Sequence, residues 1–229
     1  MTLKVTNGFS TNCALFTLTY VSPVLFVTYV CMSHANFRKF SLIPTGRLEH
    51  PRLPVEWIGL NDKNGQCLEE MRKQIQMEIN ASNIYLAMAA HFSRDVVNRP
   101  GFAEHFFKSA REEREHGSKL IEYLSMRGQL TDSVTDLIQL IDVDVKVDSG
   151  VDALRQALEL ETKVTKSIRS LIKTCEKSPN WYHLVDWLTG EFLEEQLTGQ
   201  RDLAGKLSTL TKMMSTQGAV GEFLFDKQL

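Results

Sequence analysis

The residues from Lys108 to His116 read Lys-Ser-Ala-Arg-Glu-Glu-Arg-Glu-His and crowd carboxylates and an imidazole into one charged run. On a helix that turns about 100° per residue, Glu113 and His116 stand about 60° apart, so both can hold one metal ion from one face. This is the Glu-x-x-His spacing of carboxylate-bridged metal sites in helical bundles. Glu112 and Glu115 form a second acidic pair, rotated away from the first. Taken alone, the run reads more readily as a solvated face in which Glu112 and Glu115 answer Lys108, Arg111, Arg114 and Lys119, because a Glu-x-x-His match is common. The other helices decide between the two.

Glu78 is set among Ile75, Met77, Ile79 and Tyr85, where a carboxylate is costly to bury without a partner. Two helical turns separate it from Tyr85, which places both side chains on one face. Glu161 lies in the middle of an apolar helical pattern beside Glu159, and spacing alone does not choose which of the two faces inward. Gln196 follows Glu191, Glu194 and Glu195 on a further helix. Carboxylate oxygens with one imidazole suit iron better than zinc, which draws more His or Cys. One metal position would use Glu78, Glu113 and His116. A second would use Glu113 and Glu161, with Gln196 at hydrogen-bonding range, and would release its ion more readily.

Four amphipathic helices must carry these residues. The periodicity predicts them over about Cys67 to Val97, Phe102 to Arg127, Val151 to Lys177 and Trp181 to Thr216, with a short apolar piece at Val220 to Phe225. Asn98-Arg99-Pro100-Gly101 closes the first and Gly128 stops the second. Between Gly128 and Gly150 the alternation in Leu137 to Asp148 suggests an extended segment. A connection of that length is unusual in a compact bundle unless it travels the full length of the bundle, which makes the second and third helices parallel.

The chain has 229 residues, 43% of them hydrophobic, and 26 basic against 28 acidic side chains give a net charge of -2. That is enough for a buried core, and no nucleic-acid footprint follows from the balance. Residues 14 to 32 are apolar and uncharged. They read as a secretory signal cleaved after Ala35, against the alternatives of a retained membrane anchor or a mis-assigned start. Residues 36 to 66, with three Pro and three Gly, read as an irregular arm, leaving 67 to 229 as the helical domain. The secretory pathway or the extracellular space is the expected compartment, the cytoplasm if the N-terminus is not a signal, with no membrane in the mature form.

In the segments Gln76 to Met88, Glu112 to Leu120, Leu193 to Gln196 and Glu222 to Lys227, the chain resembles the ferritin family, and most closely the heavy chains of insect-type secreted ferritins. The fold this implies is all-α: a ferritin-like four-helix bundle with one long crossover and a short fifth C-terminal helix. The implied activity is oxidation of ferrous iron by dioxygen at a di-iron site, with ferric mineral stored in a cage of two dozen subunits, homo-oligomeric or mixed with a light-type chain. By position, the family's oxidation centre falls on Glu78, Tyr85, Glu113, His116, Glu161 and Gln196, and its mineral-seeding carboxylates on Glu112 and Glu115. Asp186 matches one acidic position of the three-fold entry pore, whereas Thr189 stands where the next acidic residue is expected and weakens that funnel. The final helix would line the four-fold axis. The Tyr85 hydroxyl is expected to point at Glu78 and Glu113.

A shell subunit with an idle centre is the competing function, and Thr189 speaks for it. An oxygenase acting on an organic substrate is disfavoured because no second Glu-x-x-His occurs. If the first and third helices are antiparallel, Cys67 and Cys175 become neighbours and can form a disulfide in an oxidising lumen. Free thiols and a bridge to another subunit are the alternatives. The sequon Asn80-Ala81-Ser82 falls inside the first helix, where a glycan would not fit.

Overall fold

A computed structural model describes the backbone of residues 16–21 and 24–29, and then residues 65–130, 137–139 and 142–229. The cleavage point after Ala35, Cys13, Cys31 and most of the arm lie outside the described residues. Part of the apolar N-terminal run forms an antiparallel hairpin that its sequence reading did not foresee. Strand β1, Phe16–Val21, pairs with β2, Val24–Tyr29, in a register that sets Phe16 opposite Tyr29 and Val21 opposite Val24. Val, Thr, Phe and Tyr dominate both strands, and such residues favour extended backbone over helix. No helix among the described residues is long and apolar enough to cross a membrane.

The domain after Gly65 is helical throughout. It comprises α1 (Gln66–Phe92), α2 (Pro100–Met126), α3 (Gly150–Cys175), a 3-10 turn at Pro179–Trp181, α4 (Tyr182–Trp187), a π-helical turn at Leu188–Leu193, α5 (Glu194–Gln217) and α6 (Ala219–Asp226). Helix α1 ends earlier than its apolar pattern suggests. Ser93 Oγ donates to the Ala89 carbonyl, the amides of Val97 and Asn98 turn to Arg94, and Asn98 takes a positive φ of 46°. Helix α2 stops at Gly128, whose φ of 65° is one that residues with a Cβ avoid. The fourth long helix, expected unbroken, is a rod interrupted by the π turn, which widens the helix by one residue per turn and re-aims everything after it.

The Cys67–Cys175 disulfide, with Cα atoms 4.9 Å apart, joins the start of α1 to the end of α3 and so makes these helices antiparallel. Helix α2 returns along α1 after a short link, and Phe102 at its start packs against Gly150 at the start of α3. Hence α2 and α3 run parallel, as the long connection demands. That connection forms no strand among its described residues. Its alternation survives as a half-buried run in which Val143, Val145 and Val147 face the bundle and Asp142, Asp144 and Lys146 face water. Gln76 of α1 holds it by hydrogen bonds to and from the Gln139 backbone, at 3.0 and 2.6 Å.

Helix α6 closes one end. Asp226 Oδ1 accepts from the Phe102 amide at 3.0 Å, and Glu222 accepts from the Gly150 amide at 3.0 Å and from Arg99 at 3.1 Å. Two carboxylates therefore satisfy orphan amides at the positive ends of α2 and α3. The core between the rods contains Phe92, Phe102, Phe106, Leu120, Leu154 and Ile168, all essentially inaccessible to solvent.

The disulfide spans 108 residues, a loop for which cross-linking stabilises by about 4 to 5 kcal/mol in the chain-entropy account. Replacing Cys67 and Cys175 with Ser should therefore lower the denaturation midpoint under non-reducing conditions and leave the reduced proteins nearly equal. A midpoint that ignores the double replacement would show the bridge to be idle.

Candidate metal centre

Each long helix sends at least one polar side chain into the middle of an otherwise apolar core. Glu78 comes from α1, Glu113 and His116 from α2, Glu161 from α3 and Gln196 from α5, with exposures of 0, 4, 6, 7 and 5%. Packing of α3 resolves the ambiguity at its centre, because Glu161 is buried and Glu159 faces solvent. One ligand atom from each of Glu78, Glu113 and His116 lies within 4.8 Å of the others. Glu78 Oε2, Glu113 Oε2 and His116 Nδ1 are all buried and lack a hydrogen-bond partner. Orphaned buried acceptors are rare and expensive. Two carboxylate oxygens and a ring nitrogen turned toward one another make a set that a divalent cation would satisfy.

Around these atoms lies a ring of neutral donors, of which the sequence reading named Gln196 and Tyr85 and missed Gln74, Thr165 and Gln200. Gln74 Nε2 donates to Glu78 Oε1 at 2.7 Å. Gln196 Nε2 donates to Glu161 Oε2 at 2.9 Å, and the Tyr85 hydroxyl donates to Glu161 Oε1. Thr165 donates to Gln196 Oε1 at 2.8 Å, which fixes the orientation of the amide, and Gln200 in turn donates to Thr165. Tyr85 thus turns to Glu161 rather than to Glu78 and Glu113, because the carboxylate on the facing helix is the acceptor its ring can reach. Both oxygens of Glu161 are held by neutral donors, and Glu161 stands apart from the tight trio. Glu195, at 3.1 Å from His116 Nε2, orients the imidazole from the rim, the arrangement that fixes the tautomer of a metal-ligating histidine.

Electrostatics mark the same place. Burial, reinforced by the charge of Glu113, pushes the Glu78 carboxyl well above the usual carboxylate range. Burial and then the Glu161 charge push Glu113 up to about 8. Glu161 is raised by burial as well, against the pull of its bonds from Tyr85 and Gln196. Carboxylates this close cannot all ionise in a dry interior unless a cation joins them.

The centre forms the floor of an open cleft of about 600 Å³ between α2 and the rod of α5, with Glu112, Glu191, Glu194, Glu195 and Asp202 on its walls beside His105, Lys108 and Lys206. Glu112 thus borders the approach, 3.5 Å from Lys108. Glu115 is exposed and paired with Lys119 at 3.5 Å. Neither is brought to the centre. Asp186 and Thr189 border a different cleft of about 360 Å³, where Thr189 Oγ1 donates back to the Val185 carbonyl at 2.7 Å. In the sequon, Ser82 is buried and donates to the Ala110 carbonyl of α2 at 2.7 Å.

Two antiparallel helix pairs, a long crossover, a capping fifth helix and an interior set of carboxylates with one imidazole define a ferritin-like helical-bundle protein. A family model described as a ferritin-like domain matches residues 68–213. The chain is 57% identical over 211 residues to the ferritin heavy chain of Drosophila melanogaster, covering 91% of this chain and 98% of that one. It is 60% identical over 180 residues to the ferritin heavy chain of Papilio xuthus, covering 77 and 84%. Its fold matches a crystal structure of Trichoplusia ni secreted ferritin with a TM-score of 0.74 at 56% identity, over 79% of this chain and 95% of that one. The chain belongs to the ferritin family. The similarity to the Drosophila chain reaches into the segment ahead of residue 60, which the motif resemblance had left out.

Proposed function

We propose that this chain is an iron-storage subunit with ferroxidase activity, taking ferrous ions as substrate at the centre between its four long helices. The observation that carries the reading is the trio of buried, unpartnered ligand atoms on Glu78, Glu113 and His116. In this reading Glu113 serves two iron positions. The first is completed by Glu78 and His116 and the second by Glu161, with Gln196 and Tyr85 holding Glu161 in place. Two ferrous ions supply two electrons, enough to reduce one dioxygen to hydrogen peroxide. The surrounding carboxylates stabilise the added positive charge of ferric iron. Because Glu161 is already engaged with neutral donors, the second ion is held less firmly, and a product that must leave for storage requires such a hold.

Around this chemistry the reading places a shell of two dozen subunits, shared with a light-type chain, that keeps ferric mineral. Glu112 and Glu115 bind departing ferric ions, and Asp186 and Thr189 form a weak cation entrance. Residues 1–35 act as a secretory signal, 36–66 as an arm and 67–229 as the bundle. The similarity to a secreted ferritin and the buried disulfide support the lumenal route.

The test is to mix ferrous iron with the purified shell in air and follow ferric absorbance together with pH. Oxidation well above buffer alone is expected. Proton release on anaerobic ferrous addition is expected as well, since Glu113 is largely protonated below pH 8 and must ionise to bind. Oxidation no faster than in buffer would leave the subunit a shell component with an idle centre.

A further inference from the structure

One end of the metal centre continues into a line of aromatic rings that the iron chemistry does not require. The His116 imidazole lies 5.3 Å from the Phe192 ring, centroid to centroid, and Phe192 lies 5.0 Å edge-on from Trp187. Trp187 is stacked on Tyr123 at 4.9 Å and 19°, and Tyr123 on His183 at 5.7 Å and 22°. His116, Phe192 and Tyr123 are buried, Trp187 is half-buried and His183 is exposed, so the line runs from the ligand to solvent.

Its outer end is built for moving a proton with an electron. The Tyr123 hydroxyl lies 3.1 Å from His183 Nδ1 and 3.1 Å from Arg127 Nη1. Arginine can only donate, so the phenol oxygen accepts from Arg127, and in the His183 tautomer that leaves Nδ1 unprotonated the phenol hydrogen is directed to that nitrogen. A neutral imidazole receiving a phenol hydrogen bond is the arrangement in which a tyrosine can lose an electron without a separate, costly deprotonation. Phe192 is too hard to oxidise and serves only as a bridge. Trp187 and Tyr123 are the oxidisable stations.

We propose that the ring line from His116 to His183 is a redox relay that drains stray oxidising equivalents from the centre to Tyr123, which lies buried beneath the exposed His183. The proposal rests on the ferroxidase reading, and its chemistry is the two-electron reduction of hydrogen peroxide at a centre holding a single ferrous ion, which by itself supplies only one of the two electrons. Cleavage of the O–O bond needs two electrons. The ferrous ion gives one and becomes ferric. The second comes from Tyr123 by way of Trp187, while the phenol proton passes to His183 Nδ1. Two protons from solvent complete two water molecules, leaving a neutral Tyr123 phenoxyl radical beside a protonated His183. Solvent exposure of His183 lets that proton leave and lets a soluble reductant restore the phenol. Without the relay, the same half-finished reaction releases hydroxyl radical into the core.

The experiment uses the full shell loaded with substoichiometric ferrous iron, given hydrogen peroxide, freeze-quenched and read by electron paramagnetic resonance. A Tyr85→Phe background removes the tyrosine that touches the centre. A tyrosyl signal is expected there, lost in Tyr123→Phe and lost or moved to tryptophan in His183→Gln, with hydroxylated core residues increased in mass spectra of both. Initial ferrous oxidation by dioxygen should be unchanged by Tyr123→Phe. His183→Gln lies on the surface and guards against a folding defect in the buried variant. A signal and an oxidation pattern that Tyr123→Phe leaves unaltered, while iron is oxidised normally, would overturn the relay. An unmodified shell that oxidises no iron would instead remove the ferroxidase reading, and the relay with it.

Discussion

Ferrous oxidation by the shell should all but vanish when Glu113 and His116 are both replaced by Ala. Loss of an outer partner of a metal ligand costs roughly 10 to 100-fold in affinity or activity, and under the proposed function two direct ligand positions, one of them serving both ions, would disappear together. A fall of more than about 100-fold is therefore expected. The fold should survive, because Glu113 Oε2 and His116 Nδ1 are orphaned buried atoms and the bond lost with His116, from Nε2 to the half-exposed Glu195, lies at the rim. Removing a buried carboxyl group whose Oε2 has no hydrogen-bond partner relieves a desolvation cost. The variant should thus assemble, with a denaturation midpoint at or above that of the iron-free parent at neutral pH. Glu115→Ala supplies the contrast, since its carboxylate is exposed and pairs with Lys119, and initial oxidation should be unaffected. Equal oxidation rates for the double variant and the parent would place the chemistry elsewhere.

The iron-free shell should lose stability as pH rises through neutrality, opposite to the common behaviour of proteins with paired carboxylates. Glu113 titrates at about 8 in the folded state against an ordinary 4.5, so between those values the native protein holds a proton that the unfolded chain has released. Stability tied to that proton is fully present below pH 4.5 and is lost as pH climbs through 8. His105 works in the other direction, since burial and Lys206 push it down to about 4 from 6.5 and stability gained from it accrues as pH rises across that interval. The interval from 6.5 to 8 therefore isolates the carboxylate. There the loss from Glu113 alone should reach about 2 kcal/mol, one pKa unit being worth about 1.4. Glu78, raised in the same sense, adds to it. Denaturant unfolding at pH 6.5 and 8, with chelator and then with a divalent cation, provides the measurement. The cation should abolish the decline, and Glu113→Gln should flatten it. A midpoint that rises over this interval without metal would show that the carboxylates are not crowded as the geometry indicates.

Much of the centre could be read from residue order, because its members break local rules. A glutamate between isoleucines at 75 and 79 is out of place by spacing alone, and the i, i+3 carboxylate and imidazole of Glu113 and His116 gain meaning once that glutamate and Glu161 stand on other helices. Spacing likewise announces the long crossover, which forces α2 and α3 to run parallel, and the meeting of Cys67 with Cys175 that follows from it. Gln74, Thr165 and Gln200 escaped notice although a signal was present. Each lies four residues from a site member on its own helix, at Glu78, Glu161 and Gln196 respectively, and so shares its face. A search for polar residues one turn from a suspected ligand would have found all three.

Other features had no local signature. The N-terminal apolar run carries the same composition whether it is exported, anchored or paired, and its hairpin depends on partners across the strand. Glu159 and Glu161 are two residues apart on similar backgrounds, and only the packing of α3 against α1 and α5 turns Glu161 inward. The π turn at Leu188–Leu193 adds a residue to one helical turn, which no regular periodicity predicts. Through it Glu195 reaches His116 and Phe192 is placed between His116 and Trp187. Sequence by itself determined the helices, their order and direction, and which residues are chemically out of place, since these follow from spacing along one chain. Tertiary structure alone decided that Tyr85 serves Glu161, that three ligand atoms meet without partners, and that a line of rings leaves the site. Those facts depend on distances between helices, which the chain encodes only once every face has been buried.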